Sequence, residues 1–269
     1  MPSVEILKLC PYIHTLLRPC FSPASGLYFD REAVGVALPA LQRLEWCYYG
    51  PAERSGGINS LGAVLHAAPN ISYLFVGGGI GSIRHWTQKG TLPRLQTLRL
   101  GVINGLLLHQ IVSCWSLPSL TYLVLDTPLK NAGFELIWHA FGRQIRTVEF
   151  GKHLRFYADD HLSPCLNGCP GLEELNFYFY FTKPAENIQP HTSLNTVRLH
   201  AAVNLFVPDN DTVWNLIDRH FELLCGSYLP ALRRIILYGD SWQSVLRHPR
   251  FISIRNKLQD VDRVLELSH

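Results

Sequence analysis

The chain has 269 residues, of which 47% are hydrophobic and 17% are charged, and its formal net charge is +3. This composition supports a continuous apolar core, and the small charge, with no run of five Lys or Arg residues, argues against nucleic-acid binding. No apolar stretch in the sequence reaches the length of a membrane-spanning helix.

The cysteines form an odd set without paired spacing: Cys10, Cys20, Cys47, Cys114, Cys165, Cys169 and Cys225. This pattern predicts buried, reduced thiols and not a disulfide framework. The first residues also lack the basic and apolar regions of a signal peptide. We therefore expect a cytoplasmic or nuclear protein.

A nine-residue phrase recurs along the chain: a small or apolar residue, Pro, any residue, Leu, two variable residues, Leu, one variable residue and Leu. Clear copies begin at Leu38, Leu92, Leu117, Cys169 and Leu229. A phrase of this kind is typical of a solenoid, in which each unit buries its apolar face against its neighbours. The first Leu-type residue of each phrase anchors about nine units: Ile13, Leu41, Ile71, Leu95, Leu120, Ile145, Leu172, Leu194 and Leu232.

The first unit has two interpretations. Either Met1-Pro2-Ser3-Val4 leads to Leu7 and Leu9, or Cys10-Pro11-Tyr12-Ile13 leads to Leu16. We favour the second because its spacing to the next unit is regular. In both cases the chain begins inside an incomplete repeat with no polar cap, so we expect it to be the C-terminal part of a longer polypeptide.

Each phrase predicts a short strand, and the segments between phrases predict helices. In the copy of the phrase that begins at Leu92, alternation turns Leu98 and Leu100 inward. Apolar residues at helical spacing mark 105–115 and 211–225 as helices, the second with Asp209 or Asp211 as its N-cap. At the end of the chain, apolar residues spaced by four, three and four predict a capping helix over 250–267.

These phrases resemble the leucine-rich repeat over nearly the whole chain. The usual Asn or Cys after the third Leu is replaced by Ile103, Pro128, His153 and Tyr180. Such irregular repeats, and the closing segment 241–251, resemble the leucine-rich region of fungal, basidiomycete-like F-box proteins. No F-box is recognisable in this chain.

The resemblance implies an α/β solenoid of about nine irregular repeats. A curved parallel sheet would line its concave side, helices its convex side, and a single domain would cover 1–269. It also implies a protein–protein interaction module that recognises substrates for an SCF-type ubiquitin ligase. An F-box preceding this chain would dock on the ligase adaptor. A free-standing scaffold, or a truncated family relic with no ligase link, is the alternative.

Three groups of residues resemble parts of catalytic, nucleotide-binding or metal sites. The Gly77–Ser82 loop follows a predicted strand but departs from the Gly-x-Gly-x-x-Gly pattern, so we interpret it as a turn; a nucleotide-binding enzyme is a remote alternative. His161, Cys165 and Cys169 lack a convincing fourth zinc ligand, with His153 as the one nearby candidate. The adjacent Asp159 and Asp160 suggest a turn or helix cap and not paired catalytic carboxylates. We therefore expect no catalytic function, no metal and no cofactor.

The candidate binding surface is the outward face of the predicted strands. Neighbouring parallel strands lie about 4.8 Å apart, so aromatic, aliphatic and arginine side chains on three strands form a concave patch about 15 Å wide. Such residue types are enriched at protein–protein hot spots. The predicted patch consists of Tyr73, Phe75, Arg99, Tyr122 and Val124. The other predicted outward pairs are Arg43/Glu45, Thr147/Glu149, Glu174/Asn176, Thr196/Arg198 and Arg234/Ile236.

Overall fold

Parallel strands alternate with helices along most of the chain in a computed structural model. The structure describes residues 10, 12–18, 37–48, 60–78, 89–101, 105–126, 131–151, 160–179, 182–201 and 211–268. Two units are distinguished, Met1–Leu129 (unit 1) and Lys130–His269 (unit 2). Unit 1 has a row of five parallel strands and a separate parallel pair, and unit 2 has a row of five parallel strands. This confirms an α/β fold with parallel strands. The assignment to leucine-rich repeats, the number of repeats and the single domain over 1–269 stay predictions.

Unit 1 contains a five-stranded parallel sheet in the order β1-β2-β3-β5-β7, and a separate parallel pair, β4-β6. Its described elements are β1 Thr15–Arg18, β2 Arg43–Tyr48, α1 Leu61–Ala67, β3 Tyr73–Gly78, β4 Gly90–Thr91, β5 Thr97–Leu100, α2 Gly105–Cys114, β6 Trp115–Ser116 and β7 Tyr122–Leu125. The strand at 15–18 agrees with the second interpretation of the first unit. The first interpretation falls on residues outside the described ranges.

The proline of each phrase occupies a tight turn that leads into a strand. The Leu95 amide donates to the Leu92 carbonyl at 3.2 Å, which places Pro93 at the second position of the turn. The fixed φ of proline suits this position, where no backbone donor is needed. The same turn closes from Leu38 to Leu41 and from Leu117 to Leu120. The recurring Pro therefore sets the entry of each chain segment into the sheet.

The central leucine of each phrase forms one row across the sheet of unit 1. The strands pair in register so that Leu16, Leu44, Leu74, Leu98 and Leu123 are consecutive partners. The last four are completely buried. A shift of one residue in any strand would turn its leucine to the opposite face, so this row fixes the register.

Leu98 provides a direct test of this packing. Leu98→Ala removes three buried carbons from a side chain with no exposed surface, so we expect the free energy of unfolding to fall by about 2–5 kcal/mol. Gln96→Ala, at an exposed position two residues earlier, is the control and should change it by less than about 0.5 kcal/mol. Urea denaturation measures both. Equal effects of the two changes would contradict the proposed core.

Unit 2 has its parallel strands in the order β8-β9-β10-β11-β12. Its described elements are α3 Asn131–Phe141, β8 Thr147–Phe150, α4 Leu162–Gly168, β9 Glu174–Tyr178, β10 Thr196–His200, α5 Asp211–Cys225, β11 Arg234–Tyr238, α6 Ser241–Arg247, α7 Pro249–Asp260 and β12 Val264–Ser268. The helix expected over 211–225 is confirmed. The helix expected over 105–115 in unit 1 is confirmed except at Trp115, which begins β6.

The capping helix predicted over 250–267 is wrong in its second half. Helix α7 ends at Asp260, and Val264–Ser268 forms a strand parallel to β11. The Asp262 amide donates to the Gln259 carbonyl and the Arg263 amide to the Leu258 carbonyl, both at 3.0 Å. Asp262 adopts a left-handed conformation with φ of 55°. This pair of bonds is a Schellman motif, which ends a helix and redirects the chain.

The prediction that all cysteines are reduced is also wrong, because Cys47 is disulfide-bonded. Free thiols are found at Cys10, Cys114, Cys165, Cys169 and Cys225. An odd number of cysteines excludes complete pairing but not a single bond. The compartment, which was inferred partly from reduced thiols, stays a prediction. None of the described helices has the length and apolar character needed to cross a membrane.

A buried histidine joins α5 to the segment that follows β9. His220 Nε2 donates to the Thr182 carbonyl at 2.9 Å, and its ring lies against Phe177 and Phe179. Burial lowers the pKa of His220 to about 4, although the bond to Thr182 acts in the opposite direction. His220 is therefore neutral at pH 7 and serves as a packed donor.

His220 should make the stability of the protein depend on pH. An unfolded histidine has a pKa of about 6.5, so between pH 6.5 and pH 4 the unfolded chain binds more protons than the folded one. The contribution is complete above pH 6.5 and is lost as the pH falls toward 4, amounting to about 3 kcal/mol. Urea denaturation at several pH values should show a shallower dependence for His220→Gln. An unchanged slope would contradict the assignment.

Candidate functional site

The sheet of unit 1 presents two rows of side chains on the face opposite the buried leucines. The in-register pairing aligns Thr15, Arg43, Tyr73, Thr97 and Tyr122 in one row and Leu17, Glu45, Phe75, Arg99 and Val124 in the next. The structure therefore brings all five residues of the predicted patch onto one face. What distinguishes them is how much of each side chain reaches the surface.

Arg43 and Tyr73 form one contact of this face. The guanidinium carbon of Arg43 lies 4.1 Å from the centroid of the Tyr73 ring, a cation–π arrangement. Arg43 Nε also donates to Glu45 Oε1 at 3.0 Å. The ring and the carboxylate together hold an otherwise flexible arginine on the sheet surface.

Arg99 forms the second contact, in the middle of the sheet. Its guanidinium lies 5.8 Å from the centroid of Phe75 and is paired with Asp126. Burial opposes the charge of Arg99, but the hydrogen bond and the charge of Asp126 outweigh it and raise the pKa of the guanidinium above its usual value. The side chain remains 42% exposed. Arg99 is thus charged, oriented and accessible.

Phe75 lies across two glycines that leave room for its ring. A β-carbon placed on Gly77 would lie 2.6 Å from Phe75 Cζ, and one placed on Gly101 would lie 2.8 Å from Phe75 Cε2. Both distances are shorter than carbon atoms tolerate. The glycines of β3 and of the residue following β5 therefore let the aromatic ring lie flat along the sheet.

Val124 differs from the prediction because only 5% of its surface is exposed. It pairs with Arg99 on the neighbouring strand, and the longer arginine side chain lies beside it on the same face. Tyr73, Phe75, Arg99 and Tyr122 are half-buried and accessible, and we call these four residues the unit 1 patch. Leu17 in β1, 56% exposed and in the same row as Phe75, was missed because the outward positions of the first phrase were not considered.

The equivalent face of unit 2 is organised around Arg198. Its Nε and Nη2 atoms donate to the two carboxylate oxygens of Glu174 at 2.7 and 3.0 Å, and Nη1 donates to the Tyr238 hydroxyl at 2.6 Å. The Glu174 hydrogen bonds raise the pKa of Arg198. Arg198 is accessible, as predicted, whereas three other residues of the predicted outward pairs are buried: Asn176, Thr196 and Ile236.

A stack of three rings follows Arg198 on this face. Tyr178, His200 and Tyr238 are register partners on β9, β10 and β11, with ring centroids 5.0 and 4.9 Å apart. Burial, assisted by the charge of Arg198, lowers the pKa of His200, although Glu149 acts in the opposite direction. The predicted outward pairs lie two and four residues after each anchor residue, whereas the three stacked rings lie six residues after the anchors Leu172, Leu194 and Leu232. The stack was therefore not predicted.

The other constellations have structural roles where the structure describes them. Gly77 and Gly78 belong to β3, whereas 79–82, Asp159 and His153 lie outside the described residues. Asp160 precedes the N-cap residue of α4, His161, and accepts from the Ser163 amide at 2.9 Å, so it bonds the first turn of the helix from one residue outside the cap. Cys165 and Cys169 are buried, and His161 packs on Phe134. Within the described ranges, no three His, Cys, Asp or Glu side chains are grouped to hold a metal ion.

Comparison with protein-family models, with curated proteins and with solved structures finds no match to this chain. Its function is therefore inferred from its own residues and contacts.

The fit between Phe75 and Gly101 can be tested by a double-mutant cycle. Gly101→Ala adds a methyl group that would overlap the ring of Phe75, so we expect this change to lower the free energy of unfolding by about 1–3 kcal/mol. In a Phe75→Ala background the same change should cost less, because the contact with the ring is gone and only the 3.3 Å approach to Gly77 Cα remains. Urea denaturation of the four proteins gives the coupling energy.

Gly105→Ala is the matched control, because a β-carbon on Gly105 meets no atom within 4 Å. Being at the start of α2, this change should be neutral or stabilise the protein by up to about 1 kcal/mol. If Gly101→Ala cost the same in both backgrounds, the described position of Phe75 would be contradicted.

Proposed function

We propose that this chain is a protein-binding module whose partner contacts the unit 1 patch. The observation that supports this proposal is the immobilised set of aromatic and arginine side chains on one sheet face. Tyr and Arg are over-represented among residues that dominate binding energies, and Phe among interface residues generally. Because ring contacts and ion pairs already hold Tyr73, Phe75 and Arg99 in place, binding would immobilise few additional side chains.

The charges of the patch indicate what kind of partner fits. Arg43 is compensated by Glu45 and Arg99 by Asp126, so the surface carries little uncompensated charge. The aromatic rings are therefore the groups of the patch that would contribute most of the binding energy. We therefore propose a partner surface with apolar or aromatic side chains, whose affinity changes little with ionic strength.

Substrate recognition for an SCF-type ubiquitin ligase is the more specific form of this proposal. It is supported by the resemblance of the phrases to F-box proteins with degenerate leucine-rich repeats. In this form the partner is a ligase substrate, and an F-box elsewhere recruits the adaptor. A free-standing scaffold uses the same surface without the ligase. Affinity purification from the native host distinguishes the ligase component from the free-standing scaffold. Enrichment of the adaptor and cullin is expected only for the ligase component.

Site-specific photo-cross-linking would test the binding surface. A benzophenone amino acid replaces Tyr122 in one protein and Tyr228, an exposed tyrosine of unit 2 away from the sheet strands, in the control. After irradiation in host extract, we expect a discrete protein adduct from position 122 that position 228 does not give. The same adducts from both positions would contradict the proposal.

Alanine substitution then measures the contribution of the patch. With the cross-linked partner purified, Tyr73→Ala, Phe75→Ala and Tyr122→Ala combined should weaken binding at least tenfold, since each hot-spot aromatic contributes more than about 1 kcal/mol. The matched control replaces three exposed apolar residues of unit 2: Leu136, Tyr228 and Ile252. Calorimetry gives both affinities. Unchanged binding by the patch variant would exclude this surface.

A further inference from the structure

The outermost strand of unit 2 has an open edge among the described residues. β12 pairs with β11 on one side, and no described strand pairs with its other side. The Val264 amide donates to the Arg233 carbonyl at 2.7 Å, and the Ser268 carbonyl accepts from the Gly239 amide at 3.3 Å. Since backbone groups alternate in direction along a strand, those of Leu265 and Leu267 point to the open edge.

A groove lies beside this edge. Its volume is about 360 Å³, and its apolar lining comes from α6, α7 and β12, through Leu246, Leu258 and Leu265. Leu267, also in the lining, is a partly exposed leucine on the side of the sheet that is buried in the preceding strand at Leu237. The groove is large enough for several side chains, and apolar surface of this kind is favourable to cover.

Two arginines line the same groove and leave hydrogen-bond donors unused. Arg263 is only 8% exposed, and its Nη2 donates to the Gly226 and Leu229 carbonyls at 2.9 Å, but Nε and Nη1 have no partner. Burial lowers the pKa of its guanidinium. Arg255 is exposed and bonds only the Leu246 carbonyl in the described structure. The acidic residue of the lining, Glu266, is already paired with Arg234 at 2.9 Å.

A buried guanidinium with two unused donors is costly unless an acceptor occupies the site. We propose that the edge of β12 binds an extended segment of a partner protein that carries an acidic side chain. The backbone of this segment bonds Leu265 and Leu267, and its apolar side chains cover the leucine-lined groove. Its carboxylate is received by Arg255 at the surface and by Arg263, whose enclosed Nε and Nη1 become accessible when the side chain turns toward the groove. This is strand addition with a charge-specific pocket.

The proposal is independent of the unit 1 patch, since it uses other residues and another mode of recognition. Partner recognition at a sheet edge depends on backbone bonds, which tolerate many sequences. The selectivity in this case comes from the position of one carboxylate relative to alternating apolar residues. A strand-forming peptide without an acid should therefore bind weakly.

The probes are rhodamine-labelled heptapeptides of alternating Leu and Thr, amidated at the C-terminus. Three versions carry one Asp at the first, central or last position, and three matched versions carry Asn there. Fluorescence anisotropy with the full chain measures their affinities. We expect at least one Asp peptide to bind at least tenfold more tightly than its Asn counterpart.

Three variants assign the binding. Arg255→Gln and Arg263→Lys should reduce the preference for Asp below threefold. Leu267→Pro removes the outward amide of an edge strand, where proline is tolerated, and should weaken the best peptide at least tenfold. Far-ultraviolet circular dichroism confirms that each variant is folded. The triple alanine variant of Tyr73, Phe75 and Tyr122 should bind the peptide as the original chain does.

Equal affinities for all Asp and Asn pairs, or unchanged binding by Leu267→Pro, would overturn the proposal. A second copy of this chain is the competing occupant of the edge. A concentration-dependent dimer in sedimentation velocity that disappears with Leu267→Pro would show that the edge pairs with itself, and would also overturn it.

Discussion

The structure of each unit depends on the alignment of one aliphatic residue per strand across parallel strands, which is leucine throughout unit 1 and valine, leucine or isoleucine in unit 2. In unit 1 the row from Leu44 to Leu123 is completely buried. The register of each strand is fixed, because a shift of one residue would turn that strand's leucine to the opposite face. The prolines at the second position of the clear phrases lie in the turns that lead into the corresponding strands. The same register also aligns the outward side chains in rows.

In-register pairing also explains why the surface contacts form rows. Equivalent positions on neighbouring strands become neighbours in space about 4.8 Å apart. This spacing allows the rings of Tyr178, His200 and Tyr238 to stack. It also allows the guanidinium of Arg99 to lie over the ring of Phe75. The same in-register pairing that forms the core therefore also places aromatic rings and arginines side by side on the opposite face.

Several features were beyond the reach of sequence periodicity. Apolar residues at 254, 258, 261 and 265 satisfied a helical pattern, but the left-handed backbone at Asp262 ended the helix and turned the remainder into a strand. The alternation rule placed Val124 on the outward face, but its side chain is buried there, with only 5% exposed. Spacing rules also gave no sign of the disulfide at Cys47. In each case the structure depended on residues distant in the sequence, or on one backbone dihedral angle, and the local sequence pattern gave a different prediction.

The amino-acid sequence by itself determined the class of fold, the positions of the nine predicted strands and which face of each strand is apolar. These properties follow from the sequence because they depend on a short phrase that repeats along the chain. Only the tertiary structure decided which outward side chains are accessible, how Arg99 is held by Phe75 and Asp126, and that Arg263 is buried with unused donors. These properties depend on distances between strands and helices, and no residue carries that information alone.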